Sequence, residues 1–366
     1  MYFLKTLLYQ PFRYVLTSTG IALCMLLILF LMGIYRGVSE GSVEYIRSSD
    51  VDLWVLQQHA NNILRSTSLV NASHQSKLEN IQEIKSVSPV VFVLGSIRLP
   101  EGDQTVYLTG YDPATRQGGP PDISKGRTVA SDREIVLDRS FADKNDLSVG
   151  DTLVLKKDTL TVVGLSNKTN MIVIQYAFVS LAQIYRYLGF RSVVSCYMIK
   201  LSSESYSAQV KEKIEQTIPD IAVFNKETFL KNNTKEMESG LLPLLFLVAV
   251  IGAIVLTAIL SLILSINVLE RRRDYAVMKA LGALPGFVIR LVLSQSITLA
   301  GTGLILAIII VKPITKLIEN IAPEVLIRTS PIHIAAAAFG ILMISLVSTL
   351  LPLQKLRKIY PLELFQ

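Results

Sequence analysis

Apolar residues are not spread evenly along this chain. Four runs, at 14–35, 241–266, 287–311 and 332–353, are each long and apolar enough to cross a bilayer as a helix, which takes roughly 20 residues. The cores of these runs hold no Asp, Glu, Lys or Arg. The first is too long for a cleavable leader and no small-x-small site follows it, so it is expected to stay as an anchor. The pattern predicts a membrane α-helical protein with four transmembrane helices and one large domain, residues 36–240, between the first and second.

Within that domain the periodicity changes several times. Residues 51–56 (VDLWVL) read as a strand, 76–86 as a helix with Leu78, Ile81 and Ile84 on one face, and 89–97 as a strand. A similar order recurs at 193–201 (strand), 206–217 (helix) and 221–224 (strand), with Pro89 and Pro219 each between helix and strand. Residues 51–100 and 181–225 are therefore read as a weakly duplicated β-α-β unit, an α/β module. Between them, 101–180 reads as short strands at 106–108, 134–137, 152–155, 160–163 and 172–179, separated by Gly and Pro turns. The expected fold is a large α/β extracytoplasmic domain containing an inserted β-rich subdomain.

Two flanking stretches keep a helical spacing past the apolar runs. Val38, Tyr45 and Ile46 in 36–50, and Phe229, Leu230, Asn233 and Met237 in 226–240, suggest that the first two spans continue outward as a helical stalk. Gly33, Gly37 and Gly41 recur every four residues and are read as a small-residue face suited to close helix packing, with a bend at the membrane exit as the alternative. Residues 1–13, with Phe3, Leu4, Leu7 and Leu8 around Lys5, read as an interfacial helix broken at Pro11, or in part as an extension of the first span. Trp54, the single tryptophan, is read as a buried strand aromatic in preference to a contact residue.

The distribution of basic residues sets the orientation, because short loops rich in Lys and Arg stay cytoplasmic. Lys5, Arg13, Arg271, Arg272, Arg273, Lys279, Arg290, Lys355, Arg357 and Lys358 fall on one side; the competing loop, 312–331, holds Lys312, Lys316 and Arg328. Both termini and the loop 267–286 are thus expected in the cytoplasm, as is the tail 354–366, with the large domain outside. With Glu270, Asp274 and Glu363 the inside segments carry the whole net charge of +7, leaving the rest neutral. The basic excess follows membrane topology, and nucleic acid is not an expected partner.

The loop between the second and third spans carries the most information. Residues 270–281 are good helix formers and Gly282 sits where a helix ends. Tyr275, Met278 and Leu281 recur at helical spacing, with Arg271, Arg272, Arg273 and Lys279 around them. A short amphipathic helix of this kind suits a groove on another protein. By charge alone it could equally lie on lipid headgroups.

The order Glu270-Arg271, Asp274, Ala280-Leu281-Gly282-Ala283 resembles the signature of the MacB/LolC/FtsX family of ABC permeases, with Asp274 where Glu is commoner. The resemblance extends along the chain, through residues 135–153 (IVLDRSFADKNDLSVGDTL), Val162-Val163-Gly164 and the tail Pro352…Leu356-Arg357…Pro361-Leu362-Glu363. It implies that residues 270–281 are a coupling helix. Glu270, Arg271, Arg272, Arg273, Asp274, Tyr275, Met278, Lys279 and Leu281 would then contact an ABC ATPase subunit. It further implies a porter-like outer domain and a second permease chain, identical or not. A periplasmic adaptor is a further partner compatible with the family, membrane lipid surrounds the spans, and the expected site is the inner (cytoplasmic) membrane. ATP and Mg would be bound by the partner ATPase and no cofactor by this chain, which lacks the G-x-x-x-x-G-K-[ST] phosphate loop.

Other matches carry less. Gly37-Val38-Ser39-Glu40-Gly41 fits G-x-S-x-G, but a nucleophile elbow needs a strand leading into a helix, and a membrane helix precedes it. His59, His74 and His333 have no metal-ligand spacing, and Cys24 and Cys196 are not expected to pair. The chain is therefore read as a non-catalytic subunit of an export or extraction machine. The alternative is a regulatory permease that passes ATP-driven motion to an outer enzyme or sensor.

Overall fold

The computed structural model describes residues 11–100, 102–171, 174–325, 327–328 and 331–357. The expected interfacial helix falls largely outside these, as do Pro361, Leu362 and Glu363 of the tail. The chain divides into two compact units: one built from the parts up to Tyr35, Pro243–Ile318 and from Ile327 on, the other from Arg36–Leu242 and Glu319–Leu326.

In chain order the elements begin with helix α1 (Pro11–Ser48), strands β1 (Leu53–Gln57) and β2 (Val70–Asn71), helix α2 (His74–Glu79) and the long strand β3 (Ile84–Leu99). There follow β4 (Gly102–Tyr111), β5 (Asp122–Gly126), β6 (Glu134–Asp138), α3 (Arg139–Lys144), β7 (Thr152–Leu155), β8 (Asp158–Asn167) and β9 (Tyr176–Ser180). The outer part ends with α4 (Leu181–Leu188), β10 (Val193–Val194), β11 (Cys196–Leu201), α5 (Ser207–Thr217) and β12 (Ile221–Asn225). Helices α6 (Lys226–Glu270), α7 (Arg272–Ala280), α8 (Pro285–Ile321), α9 (Pro331–Ser348) and α10 (Leu350–Arg357) follow among the described residues.

The first unit holds the apolar runs. Among the described residues, four helices are long and apolar enough to cross a membrane: Ser18–Ser48, Pro243–Glu270, Gly286–Ile321 and Ile334–Lys355. Ile21 and Met25 of α1 pack with Leu256 and Leu260 of α6, Leu299 of α8 and Ile341 of α9. Gly303 permits the close approach of α8 to α1, because a Cβ there would lie 2.4 Å from Ile21 Cγ2. Tyr14 donates a hydrogen bond to Thr302 Oγ1 at 3.0 Å across the same pair. Leu244, Phe246, Leu247, Ile251 and Ile254 remain exposed on α6, as an apolar medium requires.

In the second unit the strand order β12-β1-β11-β3 is antiparallel throughout, with α2 and α5 in the two β-α-β connections. Numbered by their place in the repeated unit, these are strands 4-1-3-2, the split β-α-β arrangement. The duplication is thus visible in space as well as in sequence. Helix α2 is shorter than the expected 76–86. Leu78 and Ile81 are buried as the spacing requires, but Ile84 pairs with Leu201 and is the first residue of β3. Sheet pairing there outweighs helical propensity.

Strand β3 continues beyond Val90 into the insertion, where Val91–Leu99 pair with β4 and Ile97–Arg98 with β7. The pairings β3-β4-β9-β6-β8-β7 return to β3, so the inserted subdomain closes into a six-stranded barrel and leaves no edge within that ring. Ile97, Leu108, Ile135, Leu153, Val162 and Ala177 point into its core. Helix α4, which the sequence reading did not assign, covers one side. It opens on Ser180, whose hydroxyl accepts the Gln183 amide at 3.0 Å, and closes on Gly189 at φ +87°. Gly110 is required beneath it, since a Cβ there would fall 2.3 Å from Ile184 Cγ2.

The stalk expected from 36–50 and 226–240 is the helical continuation of α1 and α6. Ser39 donates to Glu238 at 3.3 Å, and Lys226 Nζ donates to the Ser49 carbonyl at 2.6 Å, as two antiparallel helices side by side allow. Ser39 sits inside α1 with no strand before it, so it has none of the geometry of a nucleophile elbow. Gly37 and Gly41 are buried, and so is Gly33, whose carbonyl accepts the Arg328 amide at 3.1 Å. Cys24 and Cys196 are free thiols.

Candidate functional site

The segment joining the second and third spans is the best-defined candidate. Helix α6 stops at Glu270; Arg271, at φ −101° and ψ 22°, leaves helical geometry before α7 begins at Arg272. Gly282, at φ +87°, donates to the Lys279 carbonyl at 3.1 Å, and Ala283 donates to the Met278 carbonyl at 2.9 Å. This pair of bonds is a Schellman motif, which satisfies the last carbonyls of α7 and needs a residue free to adopt positive φ. Pro285 then opens α8, where its fixed φ and missing N–H cost nothing.

One side of α7 is turned inward. Tyr275 and Ala276 are each 1% exposed and pack with Val268 of α6 and Val288 and Val292 of α8. Met278 is half-buried against the same cluster, beside Leu291 and Leu353. This corrects the expected stripe of Tyr275, Met278 and Leu281, because Tyr275 is consumed by the chain's own core. The exposed apolar residues are instead Val277 on α7 and Leu281 and Leu284 in the turn after it, of which Leu281 is 83% exposed and Leu284 76%. Their spacing of four and three residues was available in the sequence. What hid it was the choice of inward side, set by Val288 and Val292 in the next helix.

The charged residues surround this face. Arg272, Arg273, Asp274, Glu270 and Arg290 are exposed, while Arg271 and Lys279 are partly covered. Asp274 in the first turn and Lys279 in the last both suit the helix dipole. The result is a braced nine-residue helix followed by a capped turn that exposes two leucines near these bases. Such a surface can seat in an apolar groove with an acidic rim. Among the described residues no group of three His, Cys, Asp or Glu is placed to hold a metal ion.

In the outer unit, the loop after α8 reaches the barrel. Lys144 Nζ donates to Glu324 Oε1 at 2.7 Å, and Asn170 Nδ2 donates to the Glu324 carbonyl at 3.0 Å. The loop joining the third and fourth spans therefore lies on the same side as the large domain. The loop carrying α7 lies at the other end of the third span.

Known proteins resemble both parts of the chain. The profile of the MacB-like periplasmic core domain matches residues 14–217, more than half of the sequence, and that of the FtsX-like permease C-terminal domain matches 246–361. The chain is 23% identical over 362 residues to the proposed hemin transport system permease protein HrtB of Staphylococcus haemolyticus, covering 98% of this chain and 97% of that one. Among solved structures, the periplasmic region of MacB from Actinobacillus actinomycetemcomitans aligns with a TM-score of 0.41 and 16% identity, over 52% of this chain and 96% of that one. The extracellular domain of the ABC-type transporter YknZ from Gram-positive bacteria aligns with a TM-score of 0.38 and 13% identity, over 48% and 99%.

Proposed function

Because the chain belongs to the MacB/FtsX-type family of ABC permeases, we propose that it couples ATP hydrolysis by a separate ATPase chain to movement of its outer domain, for export or membrane extraction of a cargo. The observation that carries this reading is α7. It is fixed by Tyr275 and a Schellman cap, and the turn that follows it leaves Leu281 and Leu284 exposed among the described residues. Exposed apolar anchors surrounded by charge are what a protein interface uses.

The contact of Glu324 with Lys144 supports a topology with the large domain and the short loop outside and α7 in the cytoplasm. The count of basic residues on the α7 side supports the same orientation. The long helices α1 and α6 supply a lever. Helix α1 has 38 residues. At about 1.5 Å per residue it exceeds the roughly 30 Å of a hydrocarbon core. Its backbone hydrogen bonds are internal, so displacement at one end is carried to the other. In α6 the lever includes Pro243, which removes one backbone donor and gives the helix a place to bend. The working unit is a pair of permease chains with a pair of ATPase chains in a cytoplasmic membrane.

Hemin is the first cargo to test, since it is named for the relative that matches nearly the whole chain. The permease, co-reconstituted with its ATPase in liposomes, should hydrolyse ATP faster when the cargo is supplied from the lipid phase. A turnover rate that no cargo changes, but that an outer protein partner raises, would favour the regulatory alternative.

A further inference from the structure

We propose that the outer domain carries a binding cleft for a single-chain anionic amphiphile, a site separate from the ATPase-docking segment and independent of it. The cleft has a volume of about 330 Å³. That is the lower end of the range for ligand pockets, roughly 300–1,000 Å³, and too small for a folded partner. Three elements wall it: the loop 62–69 after β1, residues Val91–Leu94 of β3, and the stretch from Leu188 to Ser195.

Its shape is built in. Asn62, 3% exposed, accepts the amides of Leu64, Arg65 and Ser66 on one side-chain oxygen, at 3.1, 2.8 and 3.1 Å. Fully buried Asn233, from the stalk part of α6, accepts the Ile63 amide at 3.0 Å, and Tyr107 donates to the Ile63 carbonyl. On the opposite wall, Ser195 Oγ accepts the Phe92 amide at 2.9 Å. A loop held by two buried amide side chains does not have to be ordered by its ligand, which lowers the cost of binding.

The lining then sets the ligand class. Leu69, Leu94 and Phe190 stand 54%, 62% and 47% exposed at the cleft, an arrangement that leaves apolar area in water unless something covers it. Among the described residues lining it, Arg65 is the one charged group, and it is a cation. Its guanidinium contacts Glu236 through one nitrogen at 3.2 Å and is 58% exposed, so its other donors face solvent. An apolar slot with a planar cation at one end fits an acyl chain with a carboxylate or phosphate head.

The test uses the full chain in detergent micelles and a palmitic acid carrying a diazirine in its chain. Photolabelling should map to 62–69, 91–94 or 188–195 and be displaced by unlabelled palmitate or lysophosphatidate. Whichever displaces better identifies the head group. Arg65→Gln should weaken palmitate about tenfold, the loss expected when a charge-assisted hydrogen bond is removed, and leave methyl palmitate unchanged. Arg65→Lys should restore most of the affinity, and Leu94→Glu should weaken acid and ester together. Both positions are exposed, and unaltered Trp54 emission verifies folding. Labelling scattered without displacement, or an Arg65→Gln loss equal for acid and ester, would overturn the proposal.

Discussion

The indole of Trp54 lies stacked on the ring of Phe229, centroids 4.6 Å apart and planes 25° from parallel. One residue belongs to β1 and the other to the outward part of α6, and both are fully buried. The stalk helix is thereby packed into the α/β module through an aromatic pair, with Phe224 of β12 also stacked on Phe229. Phe229→Ala should cost about 3–5 kcal/mol, the range for removing a buried aromatic. Trp54 is the single tryptophan. Its emission during urea unfolding therefore reads this domain alone, and an unshifted midpoint would mean the pair contributes nothing.

A second prediction concerns the loop that joins the third and fourth spans. Lys144 and Glu324 form an ion pair at 2.7 Å although 180 residues separate them. In a background lacking Cys24 and Cys196, cysteines at 144 and 324 should be joined by a short bis-maleimide added outside intact cells. The cross-linked chain should migrate differently on a denaturing gel. Labelling of a cysteine at 144 only after the membrane is opened would place the domain in the cytoplasm and overturn the orientation.

A third prediction is a pH dependence in the barrel. Hydrogen bonds from Arg127, at 2.6 and 2.7 Å, outweigh burial and, with the Ala130 and Ser131 amides, hold the Glu134 carboxyl at about 2. A carboxylate whose folded pKa is depressed stabilises the fold above its ordinary value near 4.5, and that contribution fades as pH falls toward 2. The wild-type chain should therefore unfold at higher urea than Glu134→Gln at pH 7, with the two midpoints converging toward pH 2. A gap that stays constant across this window would remove the linkage. Arg127 is half exposed, so the gap at neutral pH should be modest.

What the sequence reveals depends on how local the deciding forces are. The spans were legible because an apolar run of that length has few other places to go. Strand β7 was legible from Thr-Leu-Val-Leu after the Gly150-Asp151 turn. Barrel closure was not, since Ile97 meets Leu155 only after the chain has built the rest of the ring. Helix α4 did carry a local signal, Ser180 capping Gln183 and Gly189 ending it, hidden among strand-like neighbours. Strand β5 lies in a Gly- and Pro-rich stretch and owes its state to pairing with β8. At the candidate site the helix and its glycine cap were legible. The inward turn of Tyr275 was not, because it depends on residues of the following span.

A separate ATPase is proposed to dock on α7 and the turn after it, through Leu281 and Leu284. The direct measurement is the amount of ABC ATPase recovered, by quantitative mass spectrometry, with the full chain affinity-purified from native membranes. The wild-type chain should bring down one ATPase chain per permease. Leu281→Asp with Leu284→Asp should lose about 2 kcal/mol or more of binding, a drop of roughly thirtyfold or more, because two exposed anchors become charges facing an apolar groove. Tyr275→Phe, a change inside the chain's own core, should leave recovery intact. Undiminished ATPase recovery with the double variant, or no ATPase with the wild-type chain in a mild detergent, would contradict the account.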